Sequence, residues 1–326
     1  MRRAASLWRS LQAGGHARLG GLALVALFLA PPFARADSLA LILNGIPGTP
    51  EHEARFNEWT EATRSVLVDN FGFAEGDVVV LNRPAADEIR SAFDGFSGRA
   101  GEDDVFYLFL IGHGSYDRGE YRFNIARTDL TAADYSDLLA GLGAGRVVVV
   151  NGTTSSGASI EPLAAPGRVI VTATRTGTER NDTVFYQHFL EGLADAASDE
   201  DLNDRLSIWE AFRYAALSVA RFYEEQNLLA TEHSQISDNG GEQTGTDPEE
   251  IPALAQLTHF NVAGQVDVEN PVLRALLEER NAIETAIGEL RADRQLLPED
   301  EYERRLEELL VDLALKNQEI RRQEGL

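Results

Sequence analysis

Val105-Phe106-Tyr107-Leu108-Phe109-Leu110-Ile111-Gly112-His113-Gly114 and Val147-Val148-Val149-Val150-Asn151-Gly152-Thr153-Thr154-Ser155-Ser156-Gly157 are the two stretches that decide the fold. Each is a short, unbroken apolar run ending in glycine and small polar residues, which is how a strand buried on both faces reads. Similar runs at 39–43, 78–81 and 169–172 add three more strands. Helical patterns lie between them, at 50–66, 86–93 and 132–140, and strands alternating with helices predict an α/β fold with a mainly parallel sheet.

The first helix has Thr49 as N-cap and Pro50 at its first position. Phe56, Trp59, Thr63 and Val66 share one face and are expected in the core, while His52, in the first turn, is expected in solvent. Residues 119–125 alternate polar and apolar as a small hairpin does. The turns at 112–114 and 151–157 should then lie at the carboxyl ends of neighbouring strands, the edge where open α/β sheets bind ligands.

Composition narrows the function. Lys and Arg number 29 against 53 Asp and Glu, a net charge of −24, which disfavours binding to nucleic acid or anionic membrane through bulk charge. Arg2, Arg3, Arg9 and Arg18 precede an apolar run at 19–30 and the small-x-small site Ala34-Arg35-Ala36, so residues 1–36 read as a signal peptide. The run is too short to span a bilayer, and the product is expected to be exported, periplasmic or secreted. There is no cysteine, so disulfides and thiolate metal sites are excluded and stability must come from core burial.

The two decisive turns resemble those of the clan CD cysteine peptidases, especially legumain and caspase relatives. These place a His-Gly turn after one strand and a Cys-x-Ser-Gly or related turn after the next. The resemblance covers roughly residues 38–195 and implies a legumain/caspase-like domain over 37–234. By it, His113 matches the catalytic histidine, Thr154 stands at the nucleophile position, and Ser156-Gly157 match the trailing pair. Gly114 would lend an oxyanion-hole N–H together with the amide of Thr154.

The departure is at the nucleophile. A thiol gives its anion near neutral pH, whereas a threonine hydroxyl needs general-base help from an oriented histidine, and its β-branch crowds the attack. The sequence offers no orienting acid beyond Asp117, which is close to His113 in the chain only. Three readings follow: a pseudopeptidase that binds peptide or protein segments, a hydrolase using Thr154, Ser155 or Ser156 with His113, and a structural or scaffold protein in which these turns have no chemistry. Ser155, Ser156, Arg175 and Glu179 are the expected binding residues, with Arg175 and Glu179 alternatively a surface ion pair.

Asp199, Asp201, Asn203, Ser207 and Glu210 fall at loop positions one, three, five, nine and twelve, the EF-hand spacing for Ca²⁺. Asp204 stands where that loop wants glycine. The plain alternative is an acidic helix entry with Ser207 as N-cap. Asp238-Asn239-Gly240 is a weaker oxygen-rich turn, and His188, His233 and His259 share no ligand spacing.

Helices are expected at 183–193, capped by Asp182, and at 208–227, followed by a polar linker at 235–268. Leu276, Ile283 and Leu290, then Leu306, Leu313 and Ile320, recur every seven residues around a break at Pro298. This predicts an antiparallel helical hairpin at 269–326 with a coiled-coil-like seam, serving as a strut or as an oligomer surface.

Overall fold

The computed structural model describes residues 38–201, 203, 205–241, 252–260, 271–292, 294 and 297–324. The signal-peptide expectation for 1–36, much of the linker, and loop positions 202 and 204 lie outside them.

All five expected strands form. The strands β1 (Ser38–Asn44), β2 (Val78–Asn82), β3 (Val105–Ile111), β7 (Arg146–Asn151), β8 (Arg168–Thr172) and β9 (Gln235–Asp238) make a six-stranded sheet ordered β2-β1-β3-β7-β8-β9. Every pairing is parallel except β8 with β9. The fold is therefore α/β, with a mostly parallel sheet flanked by helices.

Alternate residues of each central strand feed opposite cores, as the two-residue strand period requires. Ala40, Ile42, Tyr107, Phe109, Val148 and Val150 face α1 (Pro50–Ser65), α5 (Phe185–Ala194) and α6 (Ile208–Glu225). Leu41, Leu43, Leu108, Leu110 and Val149 face α2 (Ala86–Ser97), α3 (Ala132–Ala140) and the single turn α4 (Ile160–Leu163). Burial on both faces is why these runs lack the polar alternation of an open sheet.

A second, small sheet joins β4 (Gly114–Asp117), β5 (Glu120–Phe123) and β6 (Leu130–Thr131). Arg118 and Gly119 both have positive φ at the hairpin tip, the backbone a tight right-twisted turn needs. The hairpin thus starts earlier than the 119–125 alternation suggests, immediately after His113.

The expected linker begins instead as sheet. Ile236 is fully buried opposite Val171, and β9 closes the β8 edge of the sheet. Polar composition hid it because an edge strand needs only one inward apolar residue. Ala255, on the short helix α7 (Ala253–Leu257), and Phe260 are also fully buried in the first core.

Helices α8 (Pro271–Ala292) and α9 (Glu299–Glu324) run antiparallel, as Leu273 packing with Ile320, Lys316 bonding Glu279, and Arg294 over the Tyr302 ring require. Glu284 of α8 takes Arg205, and the buried Arg280 donates to the Asn203 carbonyl, so α8 is tied to the loop before α6. None of the described helices is long and apolar enough to cross a membrane.

Candidate functional site

Loops after β1, β3 and β7 meet at the carboxyl edge of the sheet. Gly112 has φ of +151°, and a Cβ there would press on Phe123 at 3.2 Å and on Gly45 at 3.3 Å, so only glycine lets β3 turn into β4 at this point. The turn delivers His113 beside α1. Its Nε2 lies 3.0 Å from the Pro47 carbonyl, which can only accept, so that nitrogen carries the proton and Nδ1 keeps the lone pair. Burial holds the His113 pKa below the usual imidazole value, against the pull of the Pro47 hydrogen bond, and the nearby His52 adds to the depression.

The His52 ring meets His113 edge-on, at 4.6 Å between centroids, and stacks on Phe56. Its Nε2 is 2.7 Å from Asp182 Oδ2, its Nδ1 is 3.1 Å from Thr49 Oγ1, and Arg55 completes the group at 3.4 Å from Asp182. Burial would raise the Asp182 pKa, but the hydrogen bond and charge of His52, with Arg55, hold it below the usual range. Two expectations are corrected here. His52 is a half-buried partner of Asp182 and not a solvated residue. Asp182 does not cap the following helix; the carboxylate of Glu232 takes the N–H groups of Val184 and Phe185. The His52–Asp182 contact spans 130 residues, and no local pattern announces it.

Thr154 lies against the start of β4. Its hydroxyl donates to the Gly114 carbonyl at 2.7 Å and accepts from the Gly114 N–H at 3.1 Å. The hydroxyl proton is therefore committed to a carbonyl, and the N–H expected to bind an oxyanion is committed to the hydroxyl. Asp117, the only acid the sequence put forward, is exposed and pairs with Arg118.

Buried polar side chains hold the rest of the turn. Asn151 accepts from Tyr121 and Thr153 and donates to Ser159, while Ser156 accepts from the Thr174 N–H. Ser156 is wholly buried, and Ser155 is 1% exposed with φ of +60° and no hydrogen-bond partner for its hydroxyl among the described residues. The expected binding serines are thus interior residues. Their burial follows from the loop after β8 lying across them: a Cβ on Gly157 would strike the backbone of Arg175 and Thr176, and Ser155 N–H donates to the Glu179 carbonyl.

Arg175 and Glu179 do not form the expected ion pair. The Glu179 carboxylate accepts the Arg175 backbone N–H at 2.7 Å and pairs with His233 at 2.6 Å, leaving the Arg175 side chain exposed. Tyr116 of β4 lies over Gly177 of the same loop, and Arg180 donates to the Tyr116 carbonyl.

In the acidic loop, one ligand oxygen from each of Asp199, Asp201 and Glu210 lies within 4.8 Å of the others, and among the described residues these three could hold a cation. The remaining EF-hand positions are otherwise engaged. Ser207 is the N-cap of α6 in a capping box with Glu210, whose Oε2 accepts the Ser207 N–H and hydroxyl and whose Oε1 accepts the Glu200 N–H. Asn203 Oδ1 accepts the Arg205 N–H. Asp201 sits at the exposed surface of the loop, yet burial of its carboxyl, then the charges of Glu210, Asp199 and Glu284, push it up to about 7.

The folded state holds the Asp201 proton more tightly than the unfolded chain does, so its contribution to stability is lost as pH rises from the ordinary aspartate value towards 7. Asp201→Asn should flatten this slope in metal-free thermal denaturation across the acid-to-neutral range. Discounted for solvent screening at the loop surface, the gain at neutral pH should be on the order of 1–2 kcal/mol. An unchanged slope in the variant would show that Asp201 is not crowded by its neighbours.

No family model matches the chain, and no curated protein does. Among solved structures, protein GSU0716 from Geobacter sulfurreducens is similar over 69% of this chain and 99% of its own, at 13% identity and a TM-score of 0.45. A likeness of that depth carries no argument about function.

Proposed function

We propose that the chain is an exported, catalytically silent relative of the legumain/caspase-like peptidases, acting by binding an extended peptide or protein segment at the edge formed by His113 and Thr154. The supporting observation is the closed pair of hydrogen bonds between the Thr154 hydroxyl and the two backbone groups of Gly114. Hydrolysis at this position needs a free nucleophile, a base that reaches it and an open oxyanion donor. Here nucleophile and donor satisfy each other, and the Thr154 hydroxyl proton goes to the Gly114 carbonyl and not to His113, whose Nδ1 lone pair is oriented by the Nε2 bond to Pro47. Retention of the His-Gly turn is then a matter of architecture, with peptide docking by main-chain hydrogen bonds beside it.

Thr154→Val separates this reading from a threonine hydrolase. Removing the hydroxyl leaves both Gly114 groups unpaired and should cost about 1–3 kcal/mol of stability. Peptide-library cleavage read by mass spectrometry should be absent in the wild type and in the variant alike. Cleavage by the wild type that disappears in both Thr154→Val and His113→Ala would establish a peptidase and overturn the silent reading.

A second reading, in which calcium stabilises the fold, is favoured by the convergence of Asp199, Asp201 and Glu210. A cation there would relieve the crowding that raises Asp201 and would stabilise the folded state by mass action. Millimolar calcium at neutral pH should then raise the melting temperature of the wild type and leave that of Asp201→Asn unmoved. Equal behaviour of the two proteins removes calcium from the account.

A further inference from the structure

We propose that α9 is a self-association surface on which a second copy of this chain docks antiparallel, α9 against α9, about a twofold axis between Asp312 and Leu313. Helix α9 uses one face on α8, where Tyr302 and Ile320 are buried and Leu306, Leu309 and Leu313 are half-buried. The opposite face is not polar. Leu310, Val311 and Leu315 are 44%, 52% and 55% exposed, and Ala314 lies exposed between them. At the helical period these four fall on one stripe, two turns long and centred on the helix. A helix that needed only to brace the domain would carry charge there, as the rest of its outer surface does.

Charge decides the occupant. The flanks of the stripe before it hold Glu303, Arg304, Glu307 and Glu308, and those after it hold Asn317, Gln318, Arg321 and Arg322. One flank is net negative and the other net positive, so a copy of the same helix laid antiparallel sets the net-negative flank against the net-positive one at both ends. A parallel copy would put acid against acid. In the antiparallel register Leu310 meets Leu315 of the second copy, Val311 meets Ala314, Glu303 meets Arg322, and Arg304, already paired with Glu308, meets Arg321. Glu303, Glu307 and Arg322 are all exposed and have no ion-pair partner among the described residues, so these charges remain available.

The interface is isologous, because each pairing is repeated by the twofold axis. Twenty-six residues give α9 a length of about 39 Å, enough for the whole stripe and both flanks to overlap. One helix pair buries less than the ~800 Å² per partner of a standard stable interface, so the dimer should be weak and concentration-dependent.

Sedimentation of the purified full chain tests this. The wild type should pass from monomer to dimer over a dilution series, and Leu310→Glu/Leu315→Glu should stay monomeric with unchanged far-ultraviolet circular dichroism, since both leucines are exposed. Arg322→Glu should weaken association on the order of tenfold, because two pairs turn repulsive at once. The charge swap Glu303→Arg/Arg322→Glu should restore it. A wild type that remains monomeric throughout, a dimer that survives the leucine changes, or a swap that fails to rescue would each overturn the proposal.

Discussion

Gly114→Ala is expected to destabilise the protein by about 3 kcal/mol, at the upper end of what overpacking costs. A Cβ on Gly114 would run into the Thr154 carbonyl, the Thr153 hydroxyl and the Tyr121 ring. None of the three can retreat cheaply. The carbonyl is backbone, Thr153 is fully buried and bonded to Asn151, and Tyr121 is 2% exposed and bonded to the same asparagine. The change would also separate the Gly114 backbone from the Thr154 hydroxyl. Gly95→Ala is the control: it lies in α2 with nothing within 4 Å of the added carbon, and should be neutral or stabilising by about 0.5–1 kcal/mol. Equilibrium denaturation of the two variants would measure the contrast. Equal stability of Gly114→Ala and the wild type would mean that the β4 hairpin does not press on the 152–157 turn.

Glu232→Ala is expected to cost a similar amount, about 2–4 kcal/mol, for the opposite reason: it empties a filled site. Glu232 is 2% exposed, and its two oxygens accept the Val184 and Phe185 N–H groups and the Tyr223 hydroxyl. Those N–H groups open α5, where Val184, as N-cap, offers no side-chain oxygen. Alanine would strand them in the interior, whereas Glu232→Gln keeps an acceptor and should cost distinctly less. Burial raises the Glu232 pKa against the pull of these hydrogen bonds, so its charge is a liability that grows as pH rises above the ordinary glutamate range. The alanine penalty should therefore be largest in acid. Thermal denaturation at two pH values reads this; an alanine variant as stable as the glutamine one would show that Glu232 does not carry the cap.

Local pattern made much of the architecture legible. The Val147–Val150 and Phe106–Ile111 runs could only be strands covered on both faces, and the Thr49-Pro50 entry to α1 carries its own capping chemistry. Ser207 as the N-cap of α6 was legible as the plain alternative to an EF-hand, because capping is local; that Glu210 closes a capping box with it, and is not simply the last calcium ligand, came from the structure. Strand β9 was not legible, since four residues with a single buried isoleucine look like any polar loop until the edge of β8 is there to receive them.

The candidate site divides along the same line. The sequence by itself determined the strands, the glycine turns, the presence of His113 and the absence of a thiol beside it, because these depend on residue type and near-neighbour spacing. Only the tertiary structure decided that His52 bonds Asp182, that Glu232 caps α5, that Ser155 and Ser156 are interior, and that the Thr154 hydroxyl closes on Gly114. Each joins segments from 40 to 130 residues apart, or depends on a loop laid over them, and the energy of such contacts lies in distances that exist only after the sheet has brought its carboxyl edges together.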